Sequence, residues 1–141
     1  NKVWGETRYC ENNTVNMILT MYKRRASQNG ISVKISAKAS GSLAVPPQDL
    51  VVVIANLFEN AINEVANLKS KEGYIDIQIK DSPERLLIKI DNPCRANLTF
   101  DENLYGIGIR SVISTTSKYE GMYDFTAEDG VFSAKIILNL K

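Results

Sequence analysis

Four polar residues, Asn56, Glu59, Asn60 and Asn63, recur at i, i+3, i+4 and i+7, the spacing that gathers side chains onto one face of an α-helix. They belong to the stretch "NLFENAINEV", residues 56–65, where Glu64 adds a fifth polar group. Leu50, Ile54, Leu57, Ala61, Val65 and Leu68 make a competing apolar stripe on the same segment. One side of this helix therefore meets a core while another offers amides and a carboxylate. A face chosen only for solubility would carry Lys and Glu, since Asn is a poorer helix former than Ala, Lys or Gln. Buried polar groups without partners cost roughly 1–3 kcal/mol each, so a half-buried polar face calls for an occupant.

Two further stretches carry chemistry. In "GIGIRSV", residues 106–112, Gly106 and Gly108 stand at the mouth of a helix with Arg110 behind them. Glycines there let an anion approach the backbone, and helix N-terminal N–H groups bind it. The pair does not fit the six-residue dinucleotide pattern, and no Gly-Lys-Ser/Thr occurs. In "IKIDNPC", residues 88–94, a strand ends in Asp91-Asn92 before Pro93. That is a good turn sequence, and equally a place for a carboxylate or amide to read a ligand edge. The chain has no histidine. Ser-His and Cys-His nucleophile pairs and the commonest zinc ligand are thereby excluded. Chemistry here must run on carboxylates, amides, backbone groups or a reactive ligand. Cys10 and Cys94 lack metal-ligand spacing and are expected to be free thiols in a reducing compartment.

The elements that must position these residues follow from periodicity. Val15, Ile18, Leu19 and Tyr22 predict an amphipathic helix over 13–29, ended by Asn29-Gly30. "ISVKISAKA" predicts a strand at 31–38. After Pro46-Pro47 a long helix is expected over about 48–70, broken by Gly73. Strands at 74–81 and 85–92 form a hairpin, residues 93–105 have no period, and a helix returns at 106–121. "MYDFTA" and "VFSAKIILNL" close the chain as strands joined by the hairpin signal "EDG". A strand before the first helix stays open. The order gives an α+β fold: a two-layer sandwich, mixed sheet with helices on one face. The 141 residues read as a single domain without repeat or linker, 44% hydrophobic and 23% charged, with net charge +1. That balance gives no electrostatic argument for nucleic acid or an anionic membrane. No apolar run approaches the ~20 residues of a membrane-spanning helix. From the abrupt start "NKVWGETRYC" the chain is expected to be a piece of a longer protein. Trp4, Tyr9, Tyr119 and Tyr123 read as packing or partner contacts, and "MYKRR", residues 21–25, as a solvated helix end whose cations suit the C-terminal dipole, the alternative being that Lys23, Arg24 and Arg25 touch phosphates or a neighbouring domain.

Taken in order, an Asn-x-x-Glu-Asn-Ala helix, a strand ending in Asp-Asn-Pro, an aperiodic loop and Gly-x-Gly-x-Arg opening a helix resemble the ATP-binding domain of sensor histidine kinases. The wider group is the GHKL (Bergerat-fold) ATPases, and the subtype most similar is that of peptide- and quorum-sensing kinases. The resemblance runs from about residue 10 to the end. It implies that Asn60 coordinates Mg²⁺, that Asn56 and Asn63 face the phosphates, and that Glu59 orients a water or accepts a proton. It implies that Asn92, or else Asp91, reads the adenine amino group, and that Gly106, Gly108 and Arg110 lie by the phosphates. Residues 93–105 match the lid that orders over ATP. The chain departs from the pattern in three places: the first glycine box is reduced to "DNPC", Asn63 stands where many relatives carry a basic residue, and the phenylalanine-rich box has at most Phe100. The function implied is binding of Mg-ATP and supply of the γ-phosphoryl group for autophosphorylation of a histidine on a dimerisation domain outside this chain. Two-component signalling then implies a downstream response regulator and a cytoplasmic setting, with this domain monomeric by itself and without membrane contact. The competing expectations are a GHKL ATPase, an anti-sigma-type serine kinase, or a degenerate domain that binds partners and no nucleotide.

Overall fold

Period-two alternation builds the sheet. In the computed structural model, which describes residues 8–68, 73–95 and 106–140, five strands lie side by side: β1 (Ser32–Lys38), β2 (Tyr74–Asp81), β3 (Arg85–Pro93), β4 (Met122–Glu128) and β5 (Val131–Asn139). Their order is β1-β2-β3-β5-β4. β1 and β2 are parallel and the other pairs antiparallel. A parallel pair needs a crossover, and the long helical segment supplies it. The register sets Ile77 opposite Ile90, Ile79 opposite Ile88, Ile88 opposite Ile136 and Leu86 opposite Leu138. All of these are buried. The residues between them, Lys34, Asp76, Asp91 and Ser133 among them, occupy the opposite face. Asp129 and Gly130, at φ 52° and 77°, make the two-residue turn between β4 and β5, as an Asp-Gly pair does in hairpins of this length.

The helices are α1 (Asn13–Gln28), a short α2 (Pro47–Leu50), a π turn (Val51–Ala55), α3 (Asn56–Leu68) and α4 (Ile107–Lys118). They cover the apolar face of the sheet through Val15, Ile18 and Leu19 of α1, Leu57, Phe58, Ala61, Ile62 and Val65 of α3, and Ile109 and Val112 of α4. Phe58 is fully buried and its ring lies 5.5 Å from that of Tyr22, linking α3 to α1. Its truncation to Ala would cost about 3–5 kcal/mol. The result is the two-layer α+β sandwich expected.

One element differs from expectation. The helix expected over 48–70 is continuous in path but not in winding, because Val51–Ala55 takes π geometry; residues 69–72 lie outside those described. No strand precedes α1 among the described residues. Instead Asn12 is buried, caps α1 by accepting from the Val15 N–H at 3.0 Å, and donates its Nδ2 to the Ser40 carbonyl at 3.1 Å. Cys10 and Cys94 are both buried and unpaired with each other. Burial pushes both thiols above the usual cysteine range, which makes them poor nucleophiles.

Candidate functional site

The polar face of α3 looks at the N-terminus of α4. Asn56, Glu59, Asn60 and Asn63 line a cavity of about 300 Å³ whose other wall is Gly106, Gly108 and Ile109. Sequence spacing put the first four on one face. The fold adds the two glycines, and it adds Ile109, which the sequence reading passed over.

The π turn sets the first of these side chains. In a regular α-helix the Val52 carbonyl would take the N–H of residue 56. Here the Asn56 N–H turns to Val53, and the Val52 carbonyl accepts from the side-chain Nδ2 of Asn56 at 2.7 Å. With its nitrogen held, the Asn56 amide turns its oxygen toward α4. A Cβ placed on Gly108 would sit 3.0 Å from Asn56 Oδ1. The glycine thus lets helix and amide close on each other. π turns recur at functional sites, and this one directly precedes the amide-bearing helix.

α4 begins without protection. Its N-cap residue is Gly106, no side chain caps it, and its first turn carries no acid. The first N–H groups of a helix have no intrahelical partners and carry a partial positive charge. In α4 they open beside a cavity lined with amide oxygens.

Glu59 is engaged from outside the cavity. Arg25 of α1 donates to its carboxylate, and both side chains are about half exposed. An exposed pair of this kind contributes only about 0.2–1 kcal/mol. The same guanidinium lies over the Tyr22 ring, 4.8 Å from its centroid. The stretch "MYKRR" is therefore more than a solvated helix end. Lys23 also lies over a ring, that of Tyr9, at 5.6 Å. No sequence signal names Arg25, since its partner lies 34 residues away.

The remaining expected site residues lie apart from the cavity. Asn92 is on the helix-facing side of β3, 1% exposed, with its Nδ2 donating to the Pro93 carbonyl at 2.9 Å. Asp91 is on the other face, beside Lys89 at 3.6 Å, with its Oδ1 buried and unpartnered. Strand parity carried this information: Ile88 and Ile90 share the apolar face, so Asn92 shares it too. Arg110 is exposed on α4, about 200° round the helix from Gly108. Residues 96–105, most of the expected lid together with Phe100, lie outside the described residues.

A second cavity of about 280 Å³ lies further along α3, lined by Glu64, Asn67, Leu68 and Arg95. Burial raises the Glu64 carboxyl above the ordinary range and nearby Arg95 opposes that rise. On the far side of the first cavity, α2 is clamped to the end of α4. Asp49, 6% exposed, accepts from Tyr119 Oη at 2.5 Å and from Lys118 Nζ at 2.9 Å. The Tyr119 hydrogen bond, joined by Lys118, holds the Asp49 carboxyl below the usual carboxylate range. Burial and the neighbouring carboxylate push the Tyr119 phenol well above its usual value.

The donor set defines what the cavity suits. Among the described residues no group of three His, Cys, Asp or Glu could hold a metal ion. The wall offers amide oxygens, one carboxylate and the first backbone N–H groups of α4, for which the N-cap Gly106 provides no side-chain partner. Hard amide oxygens can complete the octahedron of Mg²⁺ when phosphates and water supply the rest, so the residues fit a cation that arrives with its anionic ligand.

Residues 45–139 match the family described as GHKL domain. The chain is 32% identical over 120 residues to a probable C4-dicarboxylate sensor kinase of Bacillus subtilis; the match covers 82% of this chain and 22% of the relative. In fold it is similar to the catalytic domain of the histidine kinase ThkA (TM-score 0.71, 13% identity, 91% of this chain and 92% of that one). It is similar also to Acinetobacter baumannii histidine kinase AdeS (0.71, 16%, 92% and 64%). The histidine kinase domain of a blue-light-activated kinase of Erythrobacter litoralis compares likewise (0.74, 14%, 99% and 67%). The match over residues 45–139 carries the family and the solved structures carry the fold; neither reaches the peptide- and quorum-sensing subtype. With a two-layer fold of histidine-kinase type, and a family match that spans the amide-bearing helix and the glycine pair, the chain belongs to the GHKL domain family.

Proposed function

We propose that the chain binds Mg-ATP between α3 and α4 and presents its γ-phosphoryl group to a histidine carried by a dimerising domain of the same kinase. The observation that supports this best is the cavity itself, where three amides and a carboxylate face an uncapped helix N-terminus across two glycines. Phosphoryl transfer asks a protein chiefly for positioning and charge stabilisation. This wall is built for that and needs no histidine.

In this reading Asn60 holds Mg²⁺ through its amide oxygen, together with the nucleotide's phosphates. Bound there, the cation neutralises developing charge on the transferred group. Asn56, pinned by Val52, faces the phosphates, and the N–H groups at Gly106 to Gly108 cradle them. Asn63 borders the same space, and Glu59 orients the attacking side. The base lies toward the other end of α3. Asn56 and Glu64 are about 12 Å apart along the helix axis, and Asn92 faces that layer while Asp91 faces away. We therefore assign the adenine contact to Asn92 and none to Asp91. Arg110 takes part only if its side chain crosses the helix. The acceptor histidine belongs to another segment, because this chain has none. A response regulator downstream and a cytoplasmic position complete the proposal; no helix among the described residues is long and apolar enough to cross a membrane.

Calorimetric titration with ATP, with and without Mg²⁺, tests this. We expect Mg²⁺-dependent binding that Asn60→Ala weakens at least about tenfold, on the scale of a lost charge-assisted contact. A folded chain that binds no nucleotide at millimolar concentration would overturn the assignment.

A further inference from the structure

We propose that Arg25 is the cation that meets the terminal phosphate, and that it does so by leaving Glu59. The proposal rests on the nucleotide reading of the cavity and names a residue that reading lacks.

A nucleoside triphosphate brings several negative charges, and one Mg²⁺ offsets only part of them. Among the described residues that line the cavity there is no cation, and Glu59 is an anion. The sequence leading into Gly106, residues 96–105, holds Asp101 and Glu102 and no Lys or Arg. Asn63 is an amide. Arg95 lines the second cavity beside Glu64, and Arg110 is exposed on a different side of α4 from Gly108. Among the described residues, the cation that touches a cavity-lining side chain is Arg25.

Its mounting suits an exchange. The guanidinium lies over the Tyr22 ring, and Tyr22 stacks on buried Phe58. The stem is therefore guided by packed aromatics while the head stays in water, 48% exposed. Its present partner is a single exposed carboxylate, a weak bond in solvent. A phosphate offers more charge and a bidentate match to the guanidinium fork. Glu59 is the neighbour of Asn60, so the guanidinium already waits beside the proposed metal ligand. Transfer to the terminal phosphate would release the Glu59 carboxylate as the triphosphate settles, so that the carboxylate becomes available only when the substrate is present.

The test is titration of the 141-residue chain with ATP and with ADP in Mg²⁺, for the wild type, Arg25→Gln, Glu59→Gln and the double variant. Arg25→Gln is expected to weaken ATP about tenfold and ADP less than about threefold. Glu59→Gln, which frees Arg25 in advance, is expected to tighten ATP about threefold, and this gain should vanish in the double variant. Wild-type chain that binds neither nucleotide would overturn the nucleotide site and this proposal together. Normal wild-type binding with an unchanged Arg25→Gln, with equal losses for ATP and ADP, or with weaker ATP binding in Glu59→Gln would overturn the exchange alone, since those patterns belong to a purely structural ion pair.

Discussion

Gly106 and Gly108 stand two residues apart and answer to different constraints. Among the described residues a Cβ at Gly106 would meet nothing within 4 Å, and its φ of −81° suits any residue. At Gly108 the same atom would press on Asn56 Oδ1. Gly108→Ala should therefore split two properties. Helix propensity favours Ala over Gly by about 0.5–1 kcal/mol, so thermal stability should hold or rise, while nucleotide affinity falls as the Asn56 amide is displaced. Denaturation and titration of the one variant would show both signs; parallel losses would mean that the glycine serves packing alone. At this scale the sequence was informative wherever a residue's neighbours are close along the chain. The i, i+3, i+4, i+7 set on α3 could be read at once, and β3 parity could have separated Asn92 from Asp91. Arg25 could not be read, because nothing local marks which of three consecutive cations turns toward a helix 34 residues away.

The clamp between α2 and α4 belongs to the scale of elements. Asp49 fixes the end of α4, and α4's other end forms the cavity wall. The Asp49 carboxyl is depressed in the folded state, so its contribution is present above the ordinary value of 3.8 and is lost as pH falls through the folded value. The Tyr119 phenol is raised, so its contribution is complete below the ordinary value of 10.0 and is lost as pH climbs through the higher folded value. Tyr119→Phe should cost about 1–2 kcal/mol at neutral pH and flatten both limbs. Urea midpoints measured from acid to alkaline pH would show this, and unchanged limbs in the variant would mean the pair bears no load. Sequence reading missed the clamp because its members are 69 and 70 residues apart. It also missed the π turn. "VVVIA" is apolar throughout, and such a run looks alike in either winding; the choice is made by Asn56 and by packing against α1 and α4.

For the whole molecule, the nucleotide becomes part of the fold's stability. A ligand at a hundred times its Kd adds about 2.7 kcal/mol, which in a domain of this size should raise Tm by roughly 8–10 °C. Melting with Mg-ATP, and again after chelation of Mg²⁺, would separate the metal-dependent share. No shift with either would count against the cavity as a nucleotide site. The architecture was legible because its signals are long and redundant. Four alternating strand pairs and three amphipathic helices admit few other layer arrangements, and the Asp-Gly hairpin fixed the last turn.

One extra residue in a helical turn also acts as a setting of phase. Upstream of Val51–Ala55 the helix is indexed to the clamp at Asp49; downstream it is indexed to the cavity. Winding the same residues as ordinary α-helix, with none removed, would rotate the amides about 100° away from Gly108. Helix content would hardly change, and the same side chains would be present in the same order. What would be lost is their bearing. Five apolar residues with no chemistry of their own thus encode an angle, and on that angle the alignment of Asn56, Asn60 and Gly108 depends.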